Sequence, residues 1–373
     1  MIRPQVNGLG GTPMQQRRLN GLPKIQDTRF HTFNMARQLQ RGILYFLALE
    51  DPAGGAVPPF YKIGVTTDTV DKRIRQLQTG NPFRIVPHTT MVVEGAEFVE
   101  RHLHRLYSAK RRILEWFTFS PSELQEVIET AEAYSEEFSD LVVETRQSDS
   151  TYSTDDVISP TPDALKLHEE AIRLEGLKTQ NGLRKATIKS QIHALVGTSR
   201  GVLGIVTVAI YKPVTSFKKA LLKKEDSDLY DQYMTKTKFK QSMTVLGKAK
   251  PSDFAQLFED KKQAATGVPK VGPDDVTDVR LDRTDNSVDL HDAYIRLLEE
   301  DAAISIDLDL VKMKLKTQCG DAAGIDGVCT YVRGDSRDFD EESFKEDHLH
   351  LFEEFTTTGT ANRRVAIKRS RDY

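Results

Sequence analysis

Ile43-Leu44-Tyr45-Phe46-Leu47-Ala48-Leu49, the loop Asp51-Pro52-Ala53-Gly54-Gly55 and the run Phe60-Tyr61-Lys62-Ile63-Gly64-Val65 follow one another in the first quarter of the chain. Two short apolar and aromatic runs about a glycine- and proline-rich turn predict a β-hairpin with a long loop. Downstream, Asp68 to Leu77 carries Val70, Ile74 and Leu77 at helical spacing and ends at Gly80-Asn81-Pro82, so a helix and its breaker come next. Ile85 to Val93 is β-branched and suits a third strand, and Ala96 to Tyr107 reads as helix. Ser120-Pro121-Ser122-Glu123 supplies the cap of a last helix. The order β-β-α-β-α-α over residues 42–134 predicts a small α+β fold, a three-stranded antiparallel sheet flanked by helices.

On either side of this unit the composition changes. Residues 1–41 hold seven basic side chains against one acid, Asp27, with no sustained apolar period, and are expected to form a basic flexible arm. Residues 135–163 invert the sign, with eight acids against Arg146 alone and ten Ser or Thr, which predicts an acidic linker. The whole chain of 373 residues has 52 Lys plus Arg and 55 Asp plus Glu, a net charge of −3. No window approaches the about 18 apolar residues of a membrane span. Two cysteines, Cys319 and Cys329, are too few for a disulfide framework, and the first residues lack the apolar core of a signal peptide. An intracellular, cytoplasmic protein in a reducing compartment is the expectation.

The rest of the chain repeats itself. Leu167-His168-Glu169-Glu170-Ala171-Ile172-Arg173-Leu174 returns 123 residues later as Leu290-His291-Asp292-Ala293-Tyr294-Ile295-Arg296-Leu297. Gly197, Gly201, Gly204 and Thr207 recur in the same register as Gly320, Gly324, Gly327 and Thr330. After a one-residue deletion, Phe217, Leu222, Leu229 and Tyr233 are answered by Phe339, Phe344, Leu351 and Phe355. Two copies of one α+β module are therefore expected at 164–248 and 288–370, joined by a linker at 249–287. Each copy reads as a helix or helical pair, a glycine turn, a strand, a short helix and a final strand.

The first domain also carries reactive side chains in a fixed order: Tyr45 in the first strand, Tyr61-Lys62-Ile63-Gly64-Val65-Thr66 in the second, Lys72-Arg73 on a helix, Glu100-Arg101-His102-Leu103-His104 on the next, and Glu115-Trp116-Phe117 beyond. Phosphodiester hydrolysis needs a base for water, a cation for the phosphate oxygens and commonly a carboxylate-held metal, and Tyr45, Tyr61, Arg73 and Glu100 can supply these. Together the five motifs resemble the GIY-YIG nuclease superfamily, in particular its phage-type branch, over about residues 40–134. The resemblance implies that Tyr45 is the base, that Arg73 contacts the scissile phosphate and that Glu100 binds one Mg2+ or Mn2+, with Tyr61 or Lys62 assisting. Glu97, three residues earlier on the same helical face, competes with Glu100 for the ion, and Arg75 is the alternative to Arg73. His104 lies one turn after Glu100, and the resembled branch also has a histidine there, so it is a candidate for proton transfer or phosphate contact. Glu115-Trp116-Phe117 reads as a packing motif, with the single Trp on the sheet. The chain departs from the wider superfamily in placing Lys62 in the usual second Tyr slot and Leu77 where many members have His or Tyr.

Within the repeats, Gly320-Asp321-Ala322-Ala323-Gly324-Ile325-Asp326-Gly327 and Phe339-Asp340-Glu341-Glu342-Ser343-Phe344-Lys345 resemble the tail of YqaJ-type phage recombination exonucleases, without that enzyme's core. Residues 212–251 hold ten lysines against four acids, interleaved with Tyr211, Phe217, Tyr230, Tyr233 and Phe239. That mixture suits phosphate contact and base stacking. A basic cluster, Arg363, Arg364, Lys368, Arg369 and Arg371, ends the second copy. The expectation is a metal-dependent DNA endonuclease whose repeats help hold DNA. The alternatives are a non-catalytic DNA-binding protein on the same fold, and a structural or assembly protein whose repeats mediate protein contacts. Oligomeric state is open.

Overall fold

The structure, a computed structural model, describes residues 39–247 and 249–369. Apart from its last three residues, the expected basic arm lies outside them, as do Lys248 and Arg371. Strands β1 (Gly42–Glu50), β2 (Phe60–Thr66) and β3 (Arg84–Val93) form the antiparallel core of an α+β domain. Two further short strands, β4 (Arg111–Ile113) and β5 (Trp116–Thr118), widen it to five in the order β3-β1-β2-β5-β4. Leu44, Tyr45, Phe46 and Leu47 of the central β1 are all buried, because helices cover both faces of the sheet. Helix α1 (Val70–Gln78), capped by Thr69, lays Val70, Ile74 and Leu77 near Tyr45, Leu47 and Ile85. Helix α2 (Ala96–Leu106) packs on β1 and β2 and buries Phe98, Val99 and Leu103.

Helix α3 starts as expected, with Ser120 and Glu123 forming a reciprocal capping box and Pro121 in the first turn. It then continues to Ser150, through the first half of the stretch expected as a linker. Beneath the acidic, Ser/Thr-rich composition, Phe138, Val142, Thr145 and Asp149 recur at four, three and four residues, and all four are buried. They line the face that α3 turns toward α8 (Asp285–Cys319) in the second repeat.

The two repeats are not separate modules. Each has one long helix, α4 (Pro162–Val196) and α8, set 123 residues apart and packed on each other. After each helix come a two-residue strand, β7 (Gly201–Val202) or β11 (Gly324–Ile325), and a longer one, β8 (Val206–Tyr211) or β12 (Cys329–Asp338). The closing strands are β10 (Lys236–Val245) in the first copy and β14 (Asn362–Ile367) in the second, and they are exchanged: β10 pairs with β12, and β14 with β8. Between them, β9 (Thr215–Phe217) pairs with β13 (Thr356–Thr358), again across the copies. Around this pairing the short helices α5 (Lys219–Glu225), α6 (Ser227–Gln232), α9 (Glu341–Asp347) and α10 (Leu349–Glu354) enclose a shared aromatic cluster of Phe217, Tyr230, Phe339, Phe344 and Phe352.

The segments expected as linkers take part in this exchange. β6 (Val157–Ile158) pairs in parallel with β11, and Leu281 bridges in parallel to Val202 of β7, again 123 residues on. Their flanking bonds match: Ala323 N donates to Asp156 O and Arg200 N to Val279 O, both at 2.8 Å. Helix α7 (Ala255–Thr266), in the second supposed linker, packs on α4 much as α3 packs on α8. The duplicated unit is thus longer than the sequence pattern showed. The repeated histidines tie helix to strand end, His168 Nε2 at 2.9 Å from Leu246 O and His291 Nε2 at 2.9 Å from Lys368 O. The glycine frame serves close backbone approach: a Cβ at Gly201 would lie 2.1 Å from Val206 O, and one at Gly324 would lie 2.4 Å from Cys329 O. Cys319 and Cys329 are free thiols, both buried, with Sγ atoms 3.8 Å apart. Val196 and Val206 take their places in the first copy, so they act there as small apolar residues.

Candidate active site

Register brings the first residues of the site together. Tyr45 on β1 lies opposite Gly64 on β2. The tyrosine ring lies over that glycine so closely that a Cβ there would sit 2.4 Å from its Oη. Only glycine leaves this space, which gives the Gly of Lys62-Ile63-Gly64 a physical role. From the first turns of α1, Arg73 Nε donates to Tyr45 Oη at 3.3 Å. Burial pushes the Tyr45 phenol up to about 12, against the opposing pull of Arg73.

Lys62 is buried beside β5 and pairs with Glu115. Glu115 follows Leu114, which holds a left-handed φ of 52° in the β4–β5 turn. This is a costly conformation for a branched residue. The turn also sends the Glu115 carbonyl to Ile63 N at 3.2 Å. Glu115 is held below its ordinary range: burial opposes this, but the charge and hydrogen bond of Lys62 prevail. The packing expected of Glu115-Trp116-Phe117 holds for Trp116, which lies near Tyr45 and Leu47, while Glu115 is a second carboxylate of the cluster. The signal for it was a lone acid placed directly before an aromatic strand.

Glu100, on α2, keeps only 12% of its side chain exposed. Burial, reinforced by the negative charge of Glu115, pushes its carboxyl up to about 8, with Lys62 and Arg73 pulling the other way. Glu97 acts on it as a weaker like charge. His104, one turn on, has Nε2 at 3.2 Å from Ile63 O and 4.0 Å from Glu100 Oε1. Since a carbonyl only accepts, Nε2 carries the proton in that contact. Burial first, then the charge of Arg111, lowers the imidazole to about 4, so it is neutral near pH 7.

Tyr45, Lys62, Arg73, Glu100 and His104 are thus joined in one charged cluster, and Tyr61 is not. By strand alternation Tyr61 lies on the face opposite Lys62, and its ring stands edge-on to His88 at 5.8 Å. Arg111, unforeseen in the sequence, borders the cluster. It donates from Nη2 to His104 O at 3.2 Å, lies 5.4 Å from the Phe117 ring centre, and faces the charges of Glu299, Glu115 and Glu100. Next to Glu100, Arg101 donates to Asp309 of α8 at 2.8 Å and Arg105 pairs with Asp307, bracing the site's helix on the repeats.

Among the described residues no group of three His, Cys, Asp or Glu is placed to hold a metal ion. The donor set nonetheless fits Mg2+ or Mn2+, since such ions are commonly held by one or two carboxylates, with water and substrate phosphate completing the shell. Glu100 is such a carboxylate. Burial first, and then the charge of Glu115, raises its titration, and a divalent cation bound there would oppose both.

Residues 42–132 match the family model of the T5orf172 domain. T5orf172 is a phage-associated domain related to GIY-YIG- and HNH-like endonucleases. The match covers the five-stranded sheet, α1, α2 and the start of α3, about a quarter of the chain, and stops before the repeats. No curated protein and no solved structure matches the chain.

The repeats offer less free positive charge than their composition suggested. Lys219 pairs with Glu341, Lys236 with Asp340 and Glu342, and Lys238 and Lys240 with Asp338, all across the exchanged halves. Phe217, Tyr230 and Tyr233 belong to the aromatic cluster, whereas Tyr211 and Phe239 remain exposed. No helix among the described residues is long and apolar enough to cross a membrane.

Proposed function

We propose that this chain is a phage-type, metal-dependent DNA endonuclease whose T5orf172-like domain hydrolyses phosphodiester bonds and whose repeats help hold the DNA. The observation that carries this reading is the meeting of Arg73, on Tyr45 Oη, with the buried Glu100 in one charged cluster. A divalent cation on Glu100 would supply Lewis-acid charge for the phosphate oxygens. Arg73 and Arg111 would give fixed positive charge to the phosphate oxygens, where charge grows as the phosphorus becomes pentacovalent. Once its own proton has passed to solvent, the Tyr45 phenolate, oriented by Arg73, takes the proton of the attacking water. Burial is the main cause that holds the phenol up, and the positive charge of Arg73 opposes it, so further positive charge beside Oη would favour ionisation of Tyr45. Lys62 keeps Glu115 anionic, and neutral His104 fixes α2 on the Ile63 carbonyl.

A DNA-binding role without cleavage is the second reading, and the phenol held at about 12 favours it. Supercoiled plasmid incubated with the protein and Mg2+ or Mn2+, beside Glu100→Ala and an EDTA control, separates the two. Metal-dependent nicking lost in the variant is the expected result. Salt-sensitive binding with no nicking under any metal would move the assignment to the second reading.

A further inference from the structure

The exchanged halves can be compared position by position, and they differ at one socket. In the half that receives α3, Lys316 on α8 and Arg333 on β12 are both buried. Asp149 accepts from Lys316 Nζ at 2.6 Å and from the Tyr331 hydroxyl at 2.5 Å. Arg333 donates to the carbonyls of Ser148 at 3.0 Å, Gly320 at 2.7 Å and Ala322 at 2.9 Å. One turn back on α8, Lys312 pairs with Glu175 at 3.0 Å. Each lysine there is answered by a carboxylate of the same chain.

Moving back by 123 residues takes Lys316 to His193, Lys312 to Lys189 and Gly320 to Gly197. The arginine has changed strands: Ile210 stands at the Arg333 position, and its cross-strand neighbour Arg363 sends Nη2 to Gly197 O at 2.6 Å. Both carboxylates are gone. In the same register Gly272 falls at the place of Asp149 and Leu298 at that of Glu175, while Lys189 lies over the Tyr294 ring at 5.8 Å. Burial, with the charges of Arg363 and Lys189, holds His193 below its ordinary range. Half-buried Arg363 and exposed Lys189 thus bring positive charge to His193 with neither carboxylate of the other half in place, and an anion would balance it.

We propose that Arg363, His193 and Lys189 form a binding site for an anionic oxygen group from outside the chain, a backbone phosphate of nucleic acid. Arg363 Nε, buried and with no hydrogen-bond partner, is the donor such an oxygen would meet, while Arg364, next on β14, turns to the opposite face beside the exposed Tyr211. The site rests on the reading of the chain as DNA-acting and adds a phosphate contact on the repeats.

The test uses the full chain and a labelled DNA duplex, titrated in EDTA at several salt concentrations. Arg363→Ala and the charge-filling His193→Glu, which places a carboxylate inside the socket, should each weaken binding severalfold. Each should also lower the slope of log affinity against log salt by about one, the loss of one phosphate contact. His193→Glu supplies the missing counter-charge and so guards against a folding defect in Arg363→Ala; thermal melts verify both. Wild-type affinity and slope in both folded variants would overturn the site. So would binding of a polyglutamate peptide that both variants lose while DNA binding stays unchanged. A wild-type chain that binds no DNA would overturn the functional reading and this site with it.

Discussion

Glu100 carries opposite demands in function and in stability. Because its carboxyl titrates near 8 in the folded protein, above the ordinary glutamate range, the folded state keeps a proton that the unfolded chain releases. Stability is therefore lost as pH rises from about 4.5 through 8. Glu100→Gln should abolish cleavage yet raise the melting temperature, by nothing at pH 4 and by most at pH 9; a gain independent of pH would contradict the burial argument. By the same linkage, metal affinity should climb with pH until Glu100 is fully ionised, which isothermal titration with Mn2+ would show. Gly64→Ala forces the Tyr45 ring off Arg73 and should cost about 1–3 kcal/mol in urea unfolding, the usual range for overpacking. Arg111→Ala should weaken DNA binding and reduce its salt dependence with the fold intact.

The elements of the first domain were legible because each carries its own local signal: Ser120 caps, Gly80-Asn81-Pro82 breaks, and Val70, Ile74 and Leu77 mark one face of α1. Motif order singled out the candidate residues, and Tyr45, Lys62, Arg73, Glu100 and His104 do converge in space. Tyr61 does not, because a one-residue step along a strand changes face. Glu115 and Arg111 were missed because their roles depend on the β4–β5 turn, whose left-handed Leu114 nothing local announces. α3 beyond Tyr134 was missed because composition masked its buried stripe. That stripe ends in Asp149, whose removal would take from buried Lys316 and Tyr331 the carboxylate both donate to. Asp149→Ala should therefore destabilise the chain by about 3–5 kcal/mol, measured by chemical denaturation.

Across the whole molecule, repetition was visible in the sequence and exchange was not, since a repeat states what each copy contains and nothing about which copy it pairs with. Exchange makes the halves inseparable. A protease site placed after Gly267, between α7 and the bridge at Leu281, should yield two fragments that run together in gel filtration and part only in denaturant. Fragments that separate in native buffer would contradict the strand pairing. The exchange also sets a timetable for synthesis. β8 is complete at Tyr211, but the strand it pairs with, β14, begins only at Asn362. At about 5–20 residues per second, the ribosome leaves that edge unpaired for on the order of ten seconds. The T5orf172-like domain can close long before, so the nascent chain carries a finished head and an unfinished body. That open interval is when a chaperone would have the most of this protein to hold.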